Sequence, residues 1–93
     1  EIYTFPEYGA YNLHPSLLPA YPGLNPWDAI FRNGEIVTGV TLHRIAMQAD
    51  NGEVVCQQEF SILGVAYEEA RKISDRVAGT MISGFMKILC SNV

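Results

Sequence analysis

Two polar side chains that could act on a carbonyl group lie close together near the start of the chain. Asn12 and His14 are separated by one residue, in a short run of β-favouring residues that begins at Tyr8. Residues two apart in a strand point to the same face, so the amide and the imidazole should project together from the strand end. Such a pair can stabilise a developing oxyanion or move a proton. The alternative is that Asn12 starts a turn and His14 packs against the following loop.

His43 and Asp50 form a second candidate pair. A carboxylate beside an imidazole favours the protonated ring, so the two residues together could handle a proton. Each residue also has an ordinary structural explanation. Asp50 precedes Asn51 and Gly52 in a typical turn sequence, and His43 alternates with Thr41 in a predicted strand. The residues alone leave both explanations open.

Other functions receive less support from the sequence. His14, His43, Cys56 and Cys90 lack the close paired spacing of a zinc site, so we expect no metal. A net charge of −4 disfavours a broad nucleic-acid-binding face. No apolar run approaches the ~20 residues of a membrane span. Ser16 lacks the G-x-S-x-G context of a hydrolase nucleophile, and no glycine-rich phosphate loop is present. Two isolated cysteines are typical of free thiols in a reducing compartment, so we expect a cytoplasmic protein.

The chain has 93 residues and is therefore at most one small domain. Its hydrophobic pattern predicts the strands and helices that position the candidate residues. The pattern predicts a strand that ends near His14, where Pro15 stops it. It then predicts a short helix over 27–32, with Asn25 as a candidate N-cap, and a hairpin of strands over 36–45 and 53–62. Cys56 should pack on the apolar face of the second hairpin strand.

A long helix is predicted over 66–90, where apolar residues recur at steps of three and four. At 1.5 Å per residue this helix is about 37 Å long. Three strands offer only a small face to cover, so we expect that further sheet or a partner completes the domain.

Taken in order, the segments of residues 8–62 resemble the folate-dependent formyltransferases. The resemblance rests on the segments 12–19 (NLHPSLLP), 21–23 (YPG), 33–35 (NGE), 38–43 (TGVTLH) and 49–55 (ADNGEVV). It implies an α/β fold in which this chain is the C-terminal half of a Rossmann-like domain. Residues 1–93 would then be a partial catalytic domain whose N-terminal half is absent, and the first residue, Glu1, fits a start inside a longer protein.

The resemblance also implies the reaction and the residues that perform it. The reaction is formyl transfer from 10-formyltetrahydrofolate to an amine, with Asn12, His14 and Asp50 as the catalytic set. Asn12 and His14 would donate hydrogen bonds to the oxyanion, while Asp50 keeps His14 protonated or positions a water molecule. A cis bond is expected between Leu18 and Pro19. The residues assigned to the folate and amine sides are Ser16, Leu17, Leu18, Pro19, Thr41 and His43.

The acceptor amine is the least determined part of the resemblance. Segment 38–44, followed by Ala49 and Asp50, is most similar to enzymes that act on nucleotide-linked amino sugars. Methionyl-tRNA formyltransferases share segment 16–19, and glycinamide ribonucleotide enzymes share 14–19 and 21–23. We therefore expect a small-molecule amine as partner, with methionyl-tRNA as the alternative and no membrane.

Two other hypotheses explain the same residues without catalysis. The chain could be a non-catalytic binding module on this scaffold, or a self-contained α+β domain that dimerises through its long helix. On the enzyme hypothesis, the chain by itself should be inactive and should self-associate through surface that the missing half covers.

Overall fold

The computed structural model describes residues 2–5, 9–45 and 53–91, and in this part of the chain four strands form one sheet. The sheet has the order β1-β2-β3-β4, and each neighbouring pair is antiparallel. The elements, in chain order, are β1 (Ile2–Phe5), β2 (Gly9–His14), α1 (Trp27–Arg32), β3 (Val37–Arg44), β4 (Val54–Ser61) and α2 (Tyr67–Ser91). The fold is α/β, as expected.

The predicted elements agree with the observed ones, apart from one strand and one cap. The bounds of α1 are as predicted, and those of β3, β4 and α2 differ by one residue at each end. The prediction of about three strands missed β1, because its four residues are too few to show a periodic signal. Asn25 is not the N-cap of α1. That position is occupied by Pro26, and the Asn25 side chain accepts only a long hydrogen bond, 3.4 Å, from the Trp27 N–H group.

One face of the sheet packs against α2 and forms the main core. Alternation along β2 and β3 places apolar side chains on this face, and burial of such side chains stabilises the fold by roughly 1.5–3 kcal/mol each. The Phe85 ring of α2 meets the Tyr11 ring edge-on at 4.8 Å between centroids. The middle of the predicted apolar stripe of α2 is confirmed here, since Val77, Met81 and Phe85 pack on this core, whereas Ile88 near its end is exposed. The buried members are Tyr11, Leu13, Val40, Leu42 and Ile82.

A second cluster joins α1 to the start of α2. Its buried members are Trp27, Ile30, Ile62 and Ala70. The Tyr67 hydroxyl donates to the Asp28 carboxylate at 2.9 Å, so a polar bond at the surface closes the cluster. Together the two clusters hold α1 and the loop before it in a fixed position relative to the sheet.

β4 is an edge strand with little cover on either face. Cys56 is exposed, which corrects the prediction that it packs in the core. The prediction failed because α2 lies over β2 and β3 and does not shelter the middle of β4. β4 also contains a bulge: Leu42 pairs with Cys56 and His43 with Val54, so Val55 is the extra residue.

Candidate active site

The sheet face opposite α2 carries the polar residues that the sequence singled out. Asn12 and His14 project from this face of β2, and the register places Asn12 beside His43 and His14 beside Thr41. Asn12 Nδ2 donates to His43 Nε2 at 3.2 Å. In this arrangement a neutral His43 carries its proton on Nδ1, because the accepting nitrogen must offer a lone pair.

His14 is held by the main chain of the loop that follows β2. Its Nε2 lies 2.9 Å from the carbonyl oxygen of Tyr21. A carbonyl oxygen can only accept, so Nε2 carries the hydrogen and Nδ1 is the other ring nitrogen. No partner for Nδ1 is found among the described residues, and this nitrogen can therefore serve a bound molecule. It accepts a hydrogen bond when the ring is neutral and donates one when the ring is protonated.

The carbonyl that holds His14 is itself fixed from several sides. Tyr21 adopts a φ of 52°, the left-handed region that a bulky residue rarely enters without support. Its hydroxyl donates to the Glu35 carboxylate at 3.0 Å and accepts from the Asn33 side-chain amide at 2.9 Å. These bonds tie Tyr21 to the turn after α1, which locates the carbonyl for His14.

The loop over 15–20 folds back on the sheet through buried polar groups. The Ser16 hydroxyl is fully buried and lies 2.8 Å from the Ala20 carbonyl oxygen and 3.1 Å from that of Tyr21. The Ser16 N–H group donates to the His14 carbonyl oxygen at 2.9 Å. The bond between Leu18 and Pro19 is cis, which confirms the expectation from the resemblance. The loop is thus an ordered structure whose backbone faces the sheet.

Thr41 and Gln57 attach this loop to the sheet, and we refer to these two side chains as the loop clamp. Thr41 Oγ1 is fully buried, donates to the Ser16 carbonyl oxygen at 2.7 Å and accepts from the Leu18 N–H group at 3.0 Å. Gln57, which pairs with Thr41 across β3 and β4, donates from Nε2 to the Leu18 carbonyl oxygen at 2.7 Å and to Thr41 Oγ1 at 3.0 Å.

The structure brings most of the predicted site residues to one side of the sheet. Asn12, His14, Thr41 and His43 share its face, with the loop of Ser16, Leu17, Leu18 and Pro19 beside them. The Thr41 hydroxyl does not face solvent, because it bonds to the Ser16 carbonyl oxygen and to the Leu18 N–H group. Asp50 lies outside the described residues.

Sequence reasoning did not single out Gln57 or the Tyr21 carbonyl. Strand alternation places Gln57 on the reverse of the apolar face of β4, but polarity alone does not show which β3 residue it meets. The Tyr21 carbonyl is a main-chain group with no signal in the side-chain pattern.

Cys56 and Tyr67, which lie outside the candidate site, have raised pKa values. Although Cys56 is largely exposed, partial burial raises the pKa of its thiol, which lies on the sheet face that α2 packs against. The hydrogen bond to Asp28, followed by burial and the charge of that carboxylate, raises the pKa of Tyr67. Among the described residues, no three His, Cys, Asp or Glu side chains are grouped to hold a metal ion. In the same part of the chain, neither helix has both the length and the apolar character that crossing a membrane requires.

The family model described as formyl transferase matches residues 1–89. The chain belongs to the formyl transferase family. This match confirms the resemblance stated from the sequence, and it makes the face with Asn12 and His14 the candidate active site of a family member.

Solved structures of phosphoribosylglycinamide formyltransferases are similar to this chain. The enzyme from Bacillus halodurans is 36% identical with a TM-score of 0.66, and the match covers 73% of this chain and 36% of that one. The enzyme from Anaplasma phagocytophilum is 25% identical with a TM-score of 0.78, over 88% of this chain and 41% of that one. The chain therefore spans about two fifths of the length of these relatives. These relatives are named for a different acceptor from the amino sugars and tRNA that the sequence analysis placed nearest.

A formyltetrahydrofolate deformylase from Pseudomonas syringae pv. tomato shares the fold. It is 23% identical with a TM-score of 0.61, and the match covers 75% of this chain and 25% of that one.

Proposed function

We propose that this chain supplies the active-site face of an enzyme that transfers a formyl group from 10-formyltetrahydrofolate to a primary amine. The observation that carries the proposal is the pair Asn12 and His14, side by side on one sheet face of a formyl transferase family member. Tyr21 engages His14 Nε2, which leaves Nδ1 as the nitrogen for the reacting group.

The proposed chemistry follows from the hydrogen-bonding capacity of these two side chains. The amine nitrogen attacks the formyl carbon, and the carbonyl oxygen becomes an oxyanion. The Asn12 amide and the protonated Nδ1 of His14 donate hydrogen bonds to that oxygen. The bond between the formyl carbon and the folate nitrogen then breaks, the amine loses a proton, and the folate nitrogen gains one. Asp50 is proposed to keep His14 protonated or to position the water that carries this proton.

The acceptor is proposed to be an amine carried by a phosphorylated sugar. Segment 38–44 supports a nucleotide-linked amino sugar through its similarity to enzymes of that kind. The 36% identity to a phosphoribosylglycinamide formyltransferase supports glycinamide ribonucleotide as the second candidate. Both molecules carry a primary amine and an anionic phosphate group, and direct comparison of the two as substrates decides between them.

The proposal extends to the organisation of the protein. We propose that residues 1–93 are the C-terminal half of the catalytic domain, because the chain covers about two fifths of its solved relatives. On this proposal the chain alone is inactive and self-associates. The free thiols of Cys56 and Cys90 support a reducing cytoplasmic location.

The test is the variant His14→Ala in the full-length gene product, with Glu59→Ala, an exposed change on β4, as the control. We expect His14→Ala to abolish formyl transfer to both candidate acceptors while urea unfolding stays cooperative, and the control to keep wild-type turnover. Turnover of His14→Ala within a few-fold of the wild type would contradict the assigned role. Tight folate binding without transfer to any amine would favour the binding-module hypothesis.

A further inference from the structure

Gln57 makes an unusual contact for a residue on an exposed edge strand. Its side chain reaches across the neighbouring strand, where Nε2 donates to the Leu18 carbonyl oxygen at 2.7 Å and to Thr41 Oγ1 at 3.0 Å. The next residue, Gln58, has the same side chain, and among the described residues its amide donates only to the Glu59 carbonyl oxygen on its own strand. Gln57 is therefore the β4 side chain that connects this edge to the loop beside His14.

The hydrogen bonds of the loop clamp match the available donors and acceptors. Thr41 Oγ1 has one hydrogen, which it gives to the Ser16 carbonyl oxygen, and two lone pairs, which accept from the Leu18 N–H group and from Gln57. Gln57 Nε2 has two hydrogens, and each has an acceptor. An ionised carboxylate at this position would offer no hydrogen and would face the Leu18 carbonyl oxygen with a negative charge.

A chain of hydrogen bonds, with one close polar contact between Ser16 and Tyr21, leads from Gln57 to His14. The loop clamp holds the backbone of Ser16 and Leu18. The Ser16 hydroxyl in turn lies 3.1 Å from the Tyr21 carbonyl oxygen, and the same oxygen accepts from His14 Nε2 at 2.9 Å. A shift of the loop would therefore move the carbonyl that orients the imidazole.

We propose that Gln57 is a positioning residue for formyl transfer, which acts by holding the loop over 16–21 against the sheet. It sets the shape of the folate side through Leu18 and the orientation of His14 through Tyr21, and it does not touch the reacting atoms. This inference rests on the proposed function, in which that loop faces the folate.

The experiment compares Gln57→Leu and Gln57→Glu with the matched control variants Gln58→Leu and Gln58→Glu in the full-length gene product. Gln57 makes two hydrogen bonds to the clamp and the loop, and because they act on the site only through the loop, we expect their combined loss to cost about tenfold in rate. We expect the Gln57 variants to raise KM for 10-formyltetrahydrofolate and to lower kcat by about tenfold, with Gln57→Glu the more impaired. KM for the amine should stay at the control value and urea unfolding should stay cooperative, which separates positioning from loss of the fold.

A second readout does not depend on catalysis. The Leu18 N–H group donates to Thr41 Oγ1, so its hydrogen exchange should be at least tenfold faster in Gln57→Leu than in Gln58→Leu if Gln57 holds the loop. If the wild-type enzyme is active and the Gln57 variants match the Gln58 variants in kinetics and in hydrogen exchange, the positioning role is overturned. The proposed function then still stands. A wild-type protein without formyl transfer overturns the proposed function, and Leu18 exchange then decides whether the loop clamp exists.

Discussion

At the scale of single residues, one hydrogen bond determines which nitrogen of His14 can meet a substrate. Because the Tyr21 carbonyl can only accept, His14 Nε2 must donate, and Nδ1 is the nitrogen that remains for the proposed chemistry. His14 can then donate to an oxyanion only when the ring is protonated. Asp50 is proposed to keep His14 protonated, and this role has a physical reason, since a carboxylate beside an imidazole favours the protonated ring.

The variant Thr41→Val measures how much the buried Thr41 hydroxyl contributes to the stability of the protein. Valine has nearly the same shape but no hydroxyl, so Thr41→Val leaves the Ser16 carbonyl and the Leu18 N–H group without their partner. We expect the free energy of unfolding to fall by about 2 kcal/mol in urea titration.

Thr80→Val is the matched control, because Thr80 is exposed and, within the described part of the chain, its hydroxyl bonds only to the Arg76 carbonyl of its own helix. Its effect should stay within about 0.5 kcal/mol. Equal stability of the two variants would show that the Thr41 hydroxyl does not hold the loop.

At the scale of elements, the loop can lie on β3 only because residue 39 has no side chain. A Cβ atom on Gly39 would clash with the Gln58 carbonyl oxygen and would come 2.5 Å from Leu17 Cδ2. The backbone of β4 and a side chain of the loop therefore approach β3 at the same point. Gly39 is needed for this close approach and not for an unusual backbone angle.

Gly39→Ala should destabilise the protein, whereas Gly79→Ala should not. An added methyl group at residue 39 must displace the loop or β4, at a cost of about 1–3 kcal/mol. At Gly79, on the open side of α2, nothing lies within 4 Å of the added Cβ, and alanine is the better helix former by about 1 kcal/mol. Urea unfolding should thus shift in opposite directions for the two variants. A shift of the same sign in both would contradict the proposed packing of the loop on β3.

At the scale of the whole molecule, both the sheet and α2 expose apolar side chains to solvent. Val54 and Val55 on β4 are 49% and 42% exposed, and Ile88 near the end of α2 is 59% exposed. A self-contained domain with its helix fully seated on its own sheet should not show such surface. The exposed residues therefore argue against that hypothesis and are consistent with the proposal that residues 1–93 are part of a larger catalytic domain.

The isolated chain of residues 1–93 should self-associate through the β4 edge. Edge strands with exposed apolar side chains pair readily with a second copy, and a lysine on the edge suppresses this pairing. We expect sedimentation velocity to show concentration-dependent association of the wild-type chain and less association of Val55→Lys.

Leu24→Lys, a change at a fully exposed leucine in the loop before α1, is the control and should associate like the wild type. A clean monomer of the wild-type chain at high concentration would rule out the proposed association.

The hydrophobic pattern of the sequence was enough to predict most of the secondary structure. The periods of two and of three to four residues located β2, β3, β4 and α2 to within one residue, since they report which side of each element meets the core. The same alternation placed Asn12 and His14 on one face. The ordered motifs of residues 8–62 predicted the family, which the match over residues 1–89 confirms.

Only the tertiary structure decided which residues meet across the sheet and the loop. The bulge at Val55 changes the register between β3 and β4, so the pairing of Gln57 with Thr41 does not follow from alternation. The bond from His14 to the Tyr21 carbonyl depends on the path of a loop whose contacts are mostly main-chain groups. Such groups are the same for every residue type, and for that reason the sequence carries no record of their partners.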